Sequence, residues 1–242
     1  VTGTIFISDL HLHASRPDIT RTFLRFLAQE ARESRALYIL GDLFEAWIGD
    51  DDTDPHHREI ISALRAFTAS GVPCFFARGN RDFLVGRRFS AETGVHLLAD
   101  ETIVEIEGQR VLLMHGDVLC SDDVEYQNFR RRVRIARLQA AFLALPLGLR
   151  RWVATQVRRR SQARTSGKPE YITDVNASAV AATLRQHGVR HLLHGHTHRP
   201  AIHRFLLDGA TATRIVLGAW YEQGSMLRWT AAGPELRSLP HD

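Results

Sequence analysis

Asp9 with His11, Asp42, Asn80, His115, and His196 with His198 are the residues of this 242-residue chain whose types could hold metal. Divalent ions such as Mn²⁺ take carboxylate, imidazole and amide oxygen, and need no thiolate. Each ligand type stands at or just after the end of an apolar run: residues 4–8, 37–40, 72–77, 110–114 and 189–193. Asp9/His11 and His196/His198 are i, i+2 pairs. In extended backbone such residues point to one side, so each pair is expected to converge on one ion. The two oxygens of Asp42 suit it to bridge two ions about 3.5–4 Å apart. Neutral Asn80 offers a carbonyl oxygen without adding charge. A single Asp-x-His or His-x-His is weak; five apolar runs ending alike form a strong pattern.

The elements that must position these residues follow from periodicity. Residues 4–8 and 37–40 read as short buried strands, with a helix between them over 19–35. An acidic loop, 45–54, leads to a second helix carrying Ile60, Ile61, Leu64 and Phe67 on one face, with Gly71 as its C′ stop. Residues 72–77 form a third strand. Residues 102–107 and 110–114 alternate around Gly108 as a hairpin. Asp174 reads as the N-cap of a helix that ends near His187 at Gly188, before the strand 189–193. Residues 201–220 form another hairpin, about Asp208-Gly209. Strand–helix alternation early and hairpins late predict mixed sheets covered by helices.

Composition is that of a globular protein, 44% hydrophobic and 24% charged. The net charge of +4 hides an asymmetry: residues 130–168 hold eleven Arg, one Lys and no acid, leaving 19 basic against 27 acidic residues elsewhere. Leu138, Phe142, Leu143, Leu145, Leu147 and Leu149 give the same block an apolar side. Such a basic amphipathic insertion is expected to be helical, to lie outside the sandwich, and to meet anionic lipid. The alternative is a helical hairpin that packs its Leu/Phe face on the core. Cys74 and Cys120 read as small buried residues. With no basic-then-apolar leader and no run of about 18 apolar residues, a cytosolic protein is expected.

Asp-x-His, Gly-Asp, Gly-Asn-x-Asp, His-Gly-Asp and Gly-His-x-His, in this order, resemble the calcineurin-like metallophosphoesterases. The resemblance implies a four-layer α/β/β/α sandwich with two metals. One would be held by Asp9, His11, Asp42 and His198, the other by Asp42, Asn80, His115 and His196. Many members carry His after the Asn, and this chain has Arg81. Arg does not act as a general acid at neutral pH, but its planar fork suits phosphate, so Arg81 is expected to hold and polarise.

Gly41–Asp51, the run 79–84, His196–Pro200 and the residues 217–220 are similar to one branch of that family. That branch splits the pyrophosphate of UDP-2,3-diacylglucosamine in lipid A biosynthesis, giving UMP and the diacylglucosamine 1-phosphate. The resemblance implies two Mn²⁺ ions, a single domain with a helical lipid-binding cap at about 123–168, and a peripheral place on the cytoplasmic face of the inner membrane. It implies phosphate-gripping roles for Asn80, Arg81 and His196. It further implies substrate contacts from Asp123, Ser161, Thr165 and Lys168. The expected chemistry is attack by a metal-bridging hydroxide on the uridine-side phosphorus.

A nuclease or nucleotide phosphatase, using the Arg block as a nucleic-acid groove, is the rival enzyme. Leu and Phe interleave the block, which has a single Trp and no clear stacking set, so lipid is favoured over nucleic acid. A metal-stabilised binding scaffold is the non-enzymatic rival. No protein partner is identifiable. His13, His56, His57, His187, His191 and His203 are taken as surface or structural, while His194 keeps the period of its neighbours and stays open. Asp50–Asp52 is expected to be a solvated acidic loop, a third cation site being the alternative, with Asp117 and Asp122 orienting metal ligands.

Overall fold

In chain order the elements are β1 (Thr4–Ile7), α1 (Pro17–Ala28), β2 (Ala36–Ile39), α2 (Pro55–Thr68), β3 (Cys74–Phe76), α3 (Arg87–Thr93) and β4 (His96–Leu97). There follow β5 (Glu101–Ile106), β6 (Gln109–Met114), α4 (Val124–Val133), α5 (Ala136–Leu143), α6 (Leu147–Thr165) and α7 (Ala177–His187). The chain closes with β7 (His191–His194), β8 (Ala201–Leu207), β9 (Ala210–Val216), β10 (Gly224–Thr230) and β11 (Gly233–Leu239). The structure, a computed structural model, describes residues 2–165 and 174–241.

Two sheets are built, of order β11-β10-β1-β2-β3-β4 and β5-β6-β7-β9-β8. Strand alternation splits the apolar side chains between layers. In β1, Ile5 and Ile7 pack with α1 and α2 residues such as Phe23 and Ile60, whereas Phe6 points the other way. Phe6, Tyr38 and Leu40 meet Val111, Leu113, Leu193 and Ile215 between the sheets. Leu112, Met114 and Leu192 turn outward against Val180 and Leu184 of α7. The result is the expected four-layer α/β/β/α sandwich. Within it, β1-β2-β3 and β6-β7-β9 run parallel, so their C-terminal ends open on one rim.

Several expected boundaries shift. α1 stops at Ala28 rather than Arg35, because the Arg35 N–H already donates to Gly3 O at 2.9 Å and the chain must turn to pair with β1. Gly71 lies past the C-cap Ala69 at φ +93°, one residue beyond the expected C′. The N-cap of α7 is Asn176, whose Oδ1 accepts from Ser178 and Ala179 N–H, not Asp174. α3, β4 and the hairpin β10–β11 were not anticipated. The turns at Glu107-Gly108 and Asp208-Gly209 are as expected, with positive φ at both central residues. Both cysteines are free and buried.

α4–α6 fill the interval between β6 and α7. No residue of α4 or α5 is buried, and Ile135, Leu138, Leu143, Leu149 and Trp152 are exposed. Only Phe142 of the expected apolar set packs on the main core, so burial of the whole Leu/Phe face is not what the structure shows. No described helix is long and apolar enough to cross a membrane.

Candidate metal centre

Seven side chains gather on the rim where the parallel strands end: Asp9 and His11 after β1, Asp42 after β2, Asn80 after β3, His115 after β6, His196 and His198 after β7. Their convergence does not come from extended backbone. Asp9, His11, Asp42, His196 and His198 all have left-handed φ, between +50° and +68°. Seven described non-glycine residues have positive φ, and the other two sit in the hairpin turns. Each left-handed L-residue costs about 1–2 kcal/mol, and such strain collects at functional sites. Asp9 and His11 turn to the same group, but His196 and His198 do not share one point as expected: His196 faces Asn80 and His198 faces Asp9 and His11.

Asp9, His11 and His198 offer ligand atoms within 4.8 Å of one another, as do Asp9, Asp42 and His115. His11 Nε2 and His198 Nε2 are 3.4 Å apart, and the buried Asp9 Oδ1, lacking a well-formed hydrogen bond, lies 3.3 Å from His198 Nε2. The Asp42 carboxylate is shared: Oδ2 is 3.8 Å from His11 Nε2 and Oδ1 is 3.7 Å from His115 Nε2. Asn80 Oδ1 sits 2.8 Å from His115 Nε2 and 2.9 Å from His196 Nδ1. Buried oxygens and ring nitrogens without thiolate, including a carboxylate oxygen facing two imidazoles without a well-formed hydrogen bond, are a donor set that fits divalent ions such as Mn²⁺, Fe²⁺ or Zn²⁺.

The surrounding backbone fixes the rotamers. Leu40 O lies 2.9 Å from His115 Nδ1, so Nδ1–H donation turns Nε2 to the centre. Asp9 Oδ2 accepts from Ser8 Oγ and from the His196 N–H, and Arg81 N–H donates to Asp42 Oδ1 at 2.8 Å. At Gly79 a Cβ would collide with Asp42 Oδ1 and the Asp42 nitrogen, so only glycine admits the carboxylate. Burial would push the His115 imidazole down, but Asp42, Asp9 and Asp117 outweigh it and raise it to about 9. Burial, helped by His115, brings His196 down to about 4. For Asp9, burial acts upward, yet His198 and the other imidazoles hold it well below the carboxylate range.

Two residues around the centre were not singled out in the sequence. Asp82, fully buried, accepts from Gly79 N at 2.8 Å and Leu43 N at 2.7 Å, tying the β2 and β3 loops together. Burial and Asp42 raise its carboxyl to about 6. Glu45 lies 3.2 Å from His11 Nδ1 and 3.0 Å from Arg158 Nε of α6. Only the Gly-Asn-x-Asp spacing hinted at Asp82; nothing in the acidic loop set Glu45 apart.

The remaining expectations divide. Asp117 does stand by the centre, accepting from Tyr126 Oη at 2.8 Å and Arg130 Nε at 2.7 Å, with Tyr126 stacked on His196. Asp122 instead accepts from Asn176 Nδ2 at 2.9 Å. Asp123 caps α4 through the Tyr126 N–H. Ser161 and Thr165 fall in the part of α6 described by backbone alone, and Lys168 lies outside the described residues. His194 is buried behind the rim with Nδ1 2.8 Å from Gly195 O. His56, His57 and His187 meet Thr20, Asp52 and Glu101 respectively, away from the ligand groups. The acidic triplet is not a solvated loop: Asp50 accepts from Gly86 and Phe89 N–H, and Asp51 and Asp52 pair with Arg150 and Arg151.

The family model for calcineurin-like phosphoesterases matches residues 4–200. The chain belongs to that family. It is a metal-dependent hydrolase by that membership and by the ligand groups on its rim. A protein of Escherichia coli O81 named UDP-2,3-diacylglucosamine hydrolase is 54% identical over 98% of this chain and 99% of its own length. The protein of the same name from Escherichia fergusonii is 53% identical over the same shares. Among solved structures, an archaeal phosphodiesterase superposes with a TM-score of 0.50 at 12% identity, covering 98% of this chain and all of its own, a likeness of fold alone.

Proposed function

We propose that the chain hydrolyses the pyrophosphate bond of UDP-2,3-diacylglucosamine to UMP and 2,3-diacylglucosamine 1-phosphate, a step of lipid A biosynthesis. The observation that carries this reading is the 54% identity over nearly the full length of both chains to a hydrolase named for that substrate. The proposed ligands are Asp9, His11, Asp42 and His198 for one Mn²⁺, and Asp42, Asn80, His115 and His196 for a second. Bound there, the ions would supply Lewis acidity and lower the pKa of an attacking water.

The chain's own residues do the rest. Asp42 turns one oxygen towards each ligand group, and the Arg81 N–H fixes one of them. Arg81 Nε is buried and makes no hydrogen bond to the described residues, which leaves that donor without a protein partner. Asn80, Arg81 and His196 grip the phosphates. Arg81 keeps its charge throughout, and the leaving sugar phosphate departs without needing a proton from it. Asp123, Ser161, Thr165 and Lys168 contact the substrate, and residues 123–168 act as a lipid cap on a single catalytic domain. The exposed Leu/Trp side chains among the arginines support acyl chains and a peripheral place on the cytoplasmic face of the inner membrane.

Hydrolysis in ¹⁸O-labelled water tests the direction of attack. The label should appear in UMP; label confined to the sugar phosphate would contradict attack at the uridine-side phosphorus.

A further inference from the structure

Arg150 is the only buried arginine among the described residues, at 2% exposure on an insertion whose other side chains mostly face water. Taking a guanidinium out of water costs several kcal/mol unless its donors are met. Here they are. Nη1 donates to Ile48 O and to Asp51 Oδ1, each at 2.8 Å, Nη2 pairs with Asp51 Oδ2, and Nε donates to Leu145 O at 2.9 Å. The next residue repeats the contact: Arg151 Nη2 lies 2.6 Å from Oδ1 of the buried Asp52. Gly49, at φ +135°, makes room, since a Cβ would strike the Arg150 guanidinium and Leu143 Cδ2.

The loop that receives these arginines begins at Asp42. The Trp47 N–H to Arg81 O bond of 3.1 Å ties it to the rim, and Trp47 Nε1 donating to Asp50 braces it internally. One short segment therefore carries the shared carboxylate at one end and the seat of the insertion at the other. Arg158 of α6 also reaches a buried carboxylate, Glu45, at 3.0 Å, but that guanidinium is itself a third exposed, whereas the Arg150 guanidinium is enclosed.

We propose that Arg150 is a positioning residue: its buried guanidinium, bound to Ile48 O, Leu145 O and the half-exposed Asp51 carboxylate and backed by Arg151 on Asp52, pins α5 and α6 beside the metal centre. In that place the helices set affinity for the lipid-bearing substrate and take no part in bond breaking. The substrate half of this statement rests on the function proposed above; the pin itself does not.

Arg150→Gln and Asp51→Asn, singly and together, test it by hydrogen exchange and by steady-state kinetics. Exchange should speed by about tenfold or more in α5 and α6 while the β1–β2 and β6–β7 amides keep wild-type rates. KM for UDP-2,3-diacylglucosamine should rise by about five- to twentyfold with kcat within about twofold, and the double variant should be no worse than either single one. Arg150→Lys, which keeps the charge but loses the fork, should give the same pattern at smaller amplitude. Unchanged exchange in α5 and α6, exchange raised throughout the sheets in both Arg150 variants, or a fall in kcat at constant KM would overturn the proposal. If the wild-type protein does not turn over that substrate, the proposed function fails while the exchange data still decide the pin.

Discussion

At the scale of single residues, His115 shows how the centre is prepared for a cation. Facing carboxylates raise its imidazole to about 9 in the metal-free protein, so at neutral pH it carries a proton that must leave before Nε2 can ligate. Proton and metal compete, and the sign follows: metal affinity should rise with pH, by about tenfold per unit for each proton displaced, until the pH passes about 9. Calorimetric Mn²⁺ titrations at pH 6.5, 7.5 and 8.5 would read this, and an affinity independent of pH would contradict it. Arg81→Ala should lower kcat/KM by about one to two orders of magnitude, as loss of a charge-assisted bond of about 1.5–3 kcal/mol implies. Arg81→Lys should recover only part of that, because an ammonium lacks the fork; full activity in Arg81→Ala would remove Arg81 from the phosphate site. The candidate ligands were legible in the sequence because metal chemistry restricts residue type. Glu45 was not, since a carboxylate that orients His11 through space leaves no spacing to read.

Elements explain how those ligands meet. The runs before Asp9, Asp42, His115 and His196 were readable as strands, because each is apolar on both faces and ends at a polar break. How the pairs converge was misread: an i, i+2 pair suggests extended backbone, whereas five ligands occupy left-handed turns. Asp and His tolerate left-handed φ better than most residues, but type alone does not announce a turn, and tertiary bonds such as His196 N–H to Asp9 Oδ2 help hold these. α3 and β4 escaped notice because seven- and two-residue elements show too little period, and β11 opens on Gly-Pro. The close approach of the β2 and β3 loops gives a test at this scale. Gly79→Ala forces a methyl into Asp42, so it should cost about 1–3 kcal/mol of stability and abolish Mn²⁺ binding. A variant that melts and binds Mn²⁺ like the wild type would contradict the packing described.

Across the whole molecule, charge is segregated. Residues 130–168 gather twelve cations without an acid, and the remaining chain is net acidic. Part of this is internal: Arg130, Arg134, Arg150, Arg151 and Arg158 each pair with a carboxylate outside the insertion. The triplet Asp50–Asp52, which by composition alone looks solvated, is a receptor for that pairing and for α3. Exposed Ile135, Leu138, Leu149 and Trp152 lie among the arginines, a surface suited to an anionic bilayer. Sedimentation with vesicles containing about 30% anionic lipid should bring the protein down at low salt, and about 0.5 M NaCl should release much of it. Equal binding to neutral and anionic vesicles would count against an electrostatic contribution.

The proposed function joins these scales: divalent ions held on the strand-end rim would serve hydrolysis of a lipid-linked nucleotide sugar. Metal-stripped protein incubated with UDP-2,3-diacylglucosamine should release no UMP. Added Mn²⁺ should restore release of UMP and 2,3-diacylglucosamine 1-phosphate in equal amounts, and Asp42→Ala should stay inactive at any Mn²⁺ concentration. UMP release that survives chelation, or an active Asp42→Ala protein, would contradict the account.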